Sequence, residues 1–349
     1  MSENFTWPDT LAVLLRREDL TAAHASWAMN DIITGKVTNA QLAGFLMALA
    51  AKGESVDEIV GFREAILENS LELRASSVAL DIVGTGGDRH KTVNISSMAS
   101  IVAAAAGVPV IKHGNRAASS ASGSSDVLSE LGINLDADPE KVARVFDAVG
   151  ITFVFAAAFH PGFRHAGEVR RELGVPTVFN ILGPLCNPAR PIATAMGVSS
   201  LERVPLVVGV LQRRDATALV FRGDEGLDEL STTGHSHMWE ISHGQVVEHD
   251  INPEELGIPL ASLDDLRGGS PGENAAVVRS VLDGTLGPVR DIVLLNAAAG
   301  LAAFDLAQNP SSLQTPIAER LRRHMEIAAA AIDSGAAQVK LAEWAAATL

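Results

Sequence analysis

Between residues 9 and 72 the hydrophobic positions recur at spacings of three and four, with no stretch of strict alternation, and this pattern predicts consecutive amphipathic helices. Start and stop signals agree with it. Thr38-Asn-Ala-Gln41 and Ser55-Val-Asp-Glu58 match the capping box, in which a hydroxyl and an acid or amide three residues on satisfy each other's orphan amides, and Gly35 and Gly53 provide ends. From Ser76 short apolar segments alternate with helical ones. Strands are predicted at 78–83, 108–111, 151–155, 192–198 and 218–222, with a hairpin of 238–242 and 246–249 turning at His243-Gly244. Helices are predicted at 96–106, near 124–131, from Asp138-Pro139 to Gly150, across 164–174, and then at about 272–283, 289–304, 314–333 and 336–348. Strands alternating with helices imply a mostly parallel sheet covered on its faces, so the fold class is mixed α/β, preceded by a helical unit.

Composition narrows the function classes. The chain has 349 residues, 47% apolar and 20% charged, enough for a packed core. Lys+Arg 27 against Asp+Glu 42 leaves −15, which repels nucleic acid and anionic membranes at long range, so any anionic substrate has to be held by local devices. A lone Cys186 builds neither a disulfide framework nor a cysteine zinc site, and its context suggests a structural role in a reducing compartment. The opening Met-Ser-Glu-Asn-Phe-Thr-Trp lacks a basic region and a continuous apolar run, so export is not expected and the cytoplasm is. The uncharged run from Thr92 to Ile111 reads as a buried helix followed by a strand, because Asn94, three serines and Gly107-Val-Pro109 interrupt it. His235, His237, His243 and His249 are read as hairpin surface, since no acid or cysteine spacing completes a zinc site, and Trp7, Trp27 and Trp344 as packing.

Chemistry is sought at the carboxyl ends of the strands. Asp81-Ile-Val-Gly84-Thr-Gly-Gly87-Asp88 leaves a strand, passes three glycines and reaches Asn94-Ile-Ser96-Ser97 at a helix start, an arrangement suited to an anion such as pyrophosphate. It fits neither a Walker loop nor a dinucleotide fingerprint. Lys112-His113-Gly114-Asn115-Arg116-Ala117-Ala118-Ser119-Ser120, with Ser124, adds cations and hydroxyls beside it if the strands near 80 and 110 are neighbours. On a helix behind His160-Pro161-Gly162, Arg170 could grip a carboxylate in bidentate fashion. Asp228-Glu229 follows the 218–222 strand, and adjacent loop carboxylates can hold Mg²⁺. Read alone, each of these has an ordinary alternative as a turn, a polar loop or a solvated helix face.

Together they resemble the anthranilate phosphoribosyltransferase family over nearly the whole chain. The matching blocks are Gly84-Thr-Gly-Gly-Asp88, Asn94-Ile-Ser-Ser97, Lys112 to Ser120, Val169-Arg-Arg-Glu-Leu-Gly174, Val178-Phe-Asn-Ile-Leu-Gly-Pro-Leu185 with Asn187-Pro188, and Asp228-Glu229. The resemblance implies a helical domain over 1–74, joined by helices near 165–185, and an α/β domain over 75–349 with a nucleoside-phosphorylase-II-like fold. It also implies a homodimer through the helical part, and the Mg²⁺-dependent transfer of a phosphoribosyl group from phosphoribosyl pyrophosphate to anthranilate in tryptophan biosynthesis. By position, Gly84, Gly87, Asp88, Thr92, Asn94, Ile95, Ser96, Ser97, Lys112 to Ser120 and Ser124 would meet the ribosyl donor. Ser96, Asp228 and Glu229 would complete the magnesium sites. Asn115 and Arg170 would bind anthranilate, with His113 near its ring. Lys112, His113, Asn115 and Arg170 are the expected catalytic set. The chain departs from the family's habit at Arg89, where glycine is usual, at Ser97, where threonine is usual, and at Ser125, where alanine is usual. Two other readings share the scaffold: a pyrimidine-nucleoside phosphorylase, and a non-catalytic nucleic-acid-binding relative, which would need a basic surface.

Overall fold

The structure, a computed structural model, describes residues 5–116 and 122–349. Four helices come first: α1 (Trp7–Leu15), α2 (Ala22–Ile33), α3 (Asn39–Lys52) and α4 (Val56–Glu68). Both capping boxes form, with Thr38 and Ser55 accepting from the amides of Gln41 and Glu58 while those side chains return to the cap amides. The predicted stops at Gly35 and Gly53 both have positive φ, at 72° and 87°.

β1 (Leu80–Gly84), α5 (Ile95–Ala105), β2 (Val110–Gly114), α6 (Ser124–Glu130), α7 (Pro139–Val149) and β3 (Ile151–Phe155) follow. The chain then passes through α8 (Ala156–Phe159), α9 (Arg164–Leu173) and α10 (Phe179–Leu185) to β4 (Ala193–Gly197), α11 (Val204–Arg213), β5 (Thr217–Gly223) and the hairpin of β6 (Ser236–Ser242) and β7 (Gln245–Ile251). Last come α12 (Pro271–Leu282), α13 (Pro288–Gln308), α14 (Ile317–Asp333) and α15 (Ala336–Thr348). The seven strands lie in the order β3-β2-β1-β4-β5-β6-β7. β1 to β5 are mutually parallel, and only the hairpin runs antiparallel to β5. The architecture is thus a small N-terminal helical domain on a large α/β domain.

Alternation along the strands divides the core. Leu80 and Ile82 of β1 face a layer built by α5, α13, α14 and α15, whereas Val83, Met196 and Val220 face α1–α4, α9, α10 and α11. Several element ends shift by two or three residues from the pattern reading, and two differences have a clear physical cause. β2 continues through Lys112, His113 and Gly114 because its ladder to Phe153, Val154 and Phe155 holds whatever the side-chain polarity. α11 is not assigned by patterning, since its valines favour strands; burial of Val204, Val207, Val210 and Leu211 on one face decides for the helix.

The helical domain depends on one close crossing. A Cβ on Gly61 of α4 would meet the Ala22 carbonyl, the Ala25 side chain and the Ser26 amide of α2. Overpacking of this kind costs about 1–3 kcal/mol, so Gly61→Ala is expected to lower the chemical-denaturation midpoint with an unchanged m-value. A midpoint equal to that of the parent protein would show that α2 and α4 separate freely.

Candidate active site

The order of the strands selects the crevice. From β1 the chain builds outward through β2 to β3, then returns across β1 and builds the other way through β4 to β5. The carboxyl ends of β1 and β4 therefore flank the switch point, the place where open sheets bind ligands. At those ends Gly84 pairs with Gly197. A side chain at either would collide with Asp228: at Gly84 with its carboxylate, at Gly197 with its backbone. These two glycines admit the Asp228-Glu229 loop between the strand tips. Asn296 of α13 then pins the loop through the Leu230 amide and carbonyl, both at 2.9 Å.

Three polar groups converge from there. Asp228 Oδ2 accepts from the Gly86 amide at 2.7 Å, and Glu229 Oε1 accepts from the Ser96 amide in the first turn of α5 at 3.2 Å. Lys112, buried on β2, donates its Nζ to the Ile82 carbonyl at 2.5 Å and to the Ser96 hydroxyl at 3.3 Å. Strands near 80 and 110 are indeed neighbours, paired at Leu80 and Val110. Burial, reinforced by Asp88, pushes Asp228 up to about 7. Glu229 is driven well above the carboxylate range by burial and by Asp228, with Lys112 pulling the other way. Burial lowers Lys112, opposed by Asp81, Glu229 and Asp228. Acids held above their ordinary range beside a single lysine form a pocket short of positive charge. Among the described residues no set of three His, Cys, Asp or Glu side chains is arranged to hold a metal alone, so Asp228, Glu229 and the Ser96 hydroxyl are candidate ligands to an ion that keeps other partners.

The loop from Gly84 to Lys91 is anchored at both ends. The Thr85 amide donates to Gly197 and Ser199 Oγ to the Gly86 carbonyl, at 3.0 and 2.7 Å, while the Gly268 amide donates to the Lys91 carbonyl. Gly86 and Gly87 have φ of 68° and 83°, and Arg89 and Lys91 also sit in the left-handed region, at 65° and 57°. Arg89 thus keeps the conformation a glycine would take, at a cost of about 1–2 kcal/mol. Asp88 stays in the loop, where its carboxylate accepts from the His90 amide at 3.2 Å. Thr92 forms an isolated bridge with Arg267.

Asn94, Ile95 and Ser97 correct the simple picture of a capped helix. Asn94 makes no capping bond; its Nδ2 donates to the Ser122 carbonyl, and its Oδ1 accepts from Asn274 of α12 at 2.8 Å. Ile95 is core, and the Ser97 hydroxyl is sealed without a partner among the described residues. On the other side of Gly114, Asn115 and Arg116 are exposed. The Asn115 carbonyl accepts from the Ser124 hydroxyl at 3.2 Å, and the Arg116 guanidinium lies 5.9 Å over Phe155. Ala117, Ala118, Ser119 and Ser120 lie outside the described residues.

Arg170 belongs to a second group. Its guanidinium lies 5.0 Å over Phe179, which meets Phe163 edge-on; Phe163 stacks on His160, and His160 meets His113 edge-on with the two Nε2 atoms 3.3 Å apart. Burial, then His160, pushes His113 down to about 3, and burial takes His160 to about 4, so both rings are neutral near pH 7. Beneath them the buried Asp81 accepts from the His113 amide at 3.1 Å and from Asn187 Nδ2 at 2.9 Å, fixing the strand that carries Lys112 and His113. Phe163, Phe179, Asp81, Asn187, Ser199 and Asn296 escape sequence reasoning as site residues. Asp81, Phe179 and Asn187 fall inside the quoted segments, the one signal that could have found them.

Among the other singled-out side chains, Cys186 is buried, with its thiol pushed up to about 12 by burial, and His235 pairs with Asp250 on the hairpin. No helix among the described residues is long and apolar enough to cross a membrane.

Residues 8–70 match the profile of the glycosyl transferase family helical bundle domain, and residues 76–338 that of the glycosyl transferase family a/b domain. An anthranilate phosphoribosyltransferase of Leifsonia xyli is 67% identical over 348 residues, covering 100% of both chains. Among solved structures, the anthranilate phosphoribosyltransferase of Thermus thermophilus superposes with a TM-score of 0.89 at 40% identity over 97% of this chain and 99% of its own. The Saccharomyces cerevisiae enzyme in complex with PRPP and Mg superposes with 0.87 at 27% identity over 98% and 97%. With a relative so similar over its full length and both domain profiles matched in order, the chain belongs to the anthranilate phosphoribosyltransferase family.

Proposed function

We propose that this protein transfers the phosphoribosyl group of 5-phosphoribosyl 1-pyrophosphate to the amine of anthranilate, releasing pyrophosphate, with Mg²⁺ as cofactor, in the cytoplasm and as a homodimer through the helical domain. The observation that carries this reading is the convergence on Ser96: Glu229 holds its amide and Lys112 its hydroxyl, at the start of a helix and beside Asp228. Supporting the pairing of copies, Leu15 at the end of α1 is 76% exposed. Neither other reading gains an observation: the net charge of −15 disfavours a nucleic-acid surface, and the Asp228-Glu229 loop is tied into the strand tips.

Breaking the bond from ribosyl C1 to oxygen leaves positive charge on the sugar and negative charge on pyrophosphate, so the chief task is to stabilise the departing anion. Lys112, the positive end of the α5 dipole and the backbone of the glycine loop are the groups of this chain suited to it. Asp228, Glu229 and Ser96 would hold Mg²⁺, which when bound supplies charge neutralisation to the diphosphate. The donor set fits that ion, because two carboxylates and a hydroxyl leave room for water and phosphate oxygens. Gly84, Gly87, Asp88, Thr92, Asn94 and Arg116 border the donor; the sealed hydroxyl of Ser97 is suited to a supporting role. The aromatic amine is neutral at pH 7, and with His113 and His160 both neutral the site needs no strong base to expose its lone pair. Arg170 would grip the anthranilate carboxylate and Asn115 orient the amine, which together aim nitrogen at C1. Phe179 beneath the guanidinium restricts Arg170 to that task.

If Arg170 serves the acceptor alone, Arg170→Ala raises the KM for anthranilate by about tenfold or more, the scale of one lost charge-assisted contact, and leaves that for the ribosyl donor within twofold. Equal increases in both, by steady-state kinetics, would remove Arg170 from the acceptor site. Lys112→Met is expected to lower kcat by about a hundredfold or more with a smaller change in either KM, since its charge counts most as pyrophosphate departs. Divalent binding should depend on pH. Below about 7 Asp228 holds a proton that the cation has to displace, so affinity falls as pH falls; Mn²⁺ titration followed by electron paramagnetic resonance should show a loss of about tenfold from pH 8 to pH 6. Asp228→Asn should reduce that dependence to what the raised Glu229 still contributes, and a flat profile in the unmodified protein would exclude Asp228 as a ligand.

A further inference from the structure

A second concentration of charge lies away from the strand tips, on the sheet face covered by the helical layer and toward the amino ends of β1 and β4. There a cleft of about 280 Å³, counting the part open to solvent, is bounded by Arg63 of α4, Asp81, Asn187, Arg190, Thr194 and Arg214. Three arginines from three parts of the chain meet at it: one from the helical domain, one from the turn before β4 and one from the end of α11.

The charges of these arginines are uncompensated. Elsewhere, buried arginines are matched by acids: Arg320 with Glu240 and Arg290 with Asp333, each at 2.7 Å. Arg63 is as buried, at 6% exposure, yet its one recorded partner is the neutral Leu185 carbonyl, 2.7 Å from Nε, and no ion pair to Arg63, Arg190 or Arg214 occurs among the described residues. Arg63 is pushed down to about 10 by burial and then by Arg214 and Arg190, with Cys186 and Glu64 pulling the other way, and Arg214 is lowered by burial and by Arg190 against Cys186. The one acid in the wall, Asp81, already has both oxygens engaged by the His113 amide and Asn187. In a chain of net charge −15, a buried Arg63 without an ion pair, gathered with the half-buried Arg214 and the exposed Arg190 at one hollow, is costly unless an anion joins them.

We propose that this cleft is a binding site for a small tetrahedral oxyanion of the sulfate or inorganic phosphate type, held by Arg63, Arg190 and Arg214. Guanidinium forks match such oxygens, and Thr194 offers a neutral hydroxyl on the same wall. The site is separate from the one that would hold the ribosyl donor, and its test does not rest on that assignment.

The experiment is a sulfate titration at constant ionic strength followed by thermal unfolding, paired with crystals grown in selenate and measured at the selenium edge. Sulfate should raise the Tm of the intact protein with saturation, and an anomalous peak should lie among Arg63, Arg190 and Arg214. Arg190→Gln, at an exposed position and therefore safe for folding, should weaken the apparent sulfate affinity by about tenfold, and Arg63→Gln should remove the effect or leave only a weaker component from the strand tips. Identical titrations for the parent and Arg190→Gln would overturn the proposal. So would selenate confined to the glycine loop, or a cleft peak without any solution effect, which would mark an adventitious ion only. A sulfate response lost instead in Lys112→Met would report on the strand tips and not on this cleft.

Discussion

The site hangs on one steric allowance, the absence of side chains at the paired ends of β1 and β4. Because Gly84 and Gly197 face each other there, the chain after β5 can drive Asp228 between the two tips. From that position Asp228 reaches the Gly86 amide and Glu229 reaches the first turn of α5, so the acid loop, the glycine loop and the helix start are fixed by a few short bonds. The bond from Lys112 to the Ile82 carbonyl ties β2 into the same knot. Alanine at either glycine would collide with Asp228 and so displace both acids together, since they share one segment.

The electrostatics follow from that packing. Carboxylates taken from water raise their affinity for protons, and a lysine taken from water lowers its own; at the strand tips both occur, with each charge partly sustaining the other. The imbalance toward acid suits a site that works on a diphosphate, provided a divalent cation arrives with it. The His113 and His160 rings, kept neutral by burial, contribute hydrogen bonding and shape without adding to that charge balance.

Much of this was legible in the chain itself. Capping boxes at Thr38 and Ser55, the cap-and-proline start at Asp138-Pro139 and the glycine loop are local signals, and they appear at the predicted residues. The alternation of strands and helices was sufficient for a mostly parallel sheet. What escaped depends on partners distant in sequence. The valines of α11 are helical because one face packs on the sheet; β2 extends into its polar end because β3 lies beside it; Asn94 bonds to Asn274 instead of capping its helix. Phe163 and Phe179 are ordinary core residues by pattern, and only the folded chain stacks them between Arg170 and the histidine pair.

That column of rings has a wider consequence. It runs from β2 to a helix that packs on α2 and α3, so Arg170 is carried by the helical layer, whereas Lys112, Asp228 and Glu229 ride on the sheet. On the reading proposed above, acceptor and donor would thus be held by different layers that share one core. If Arg170 holds the acceptor as proposed, substitutions in the helical layer would retune the choice of amine while the groups at the strand tips keep their bonds to one another.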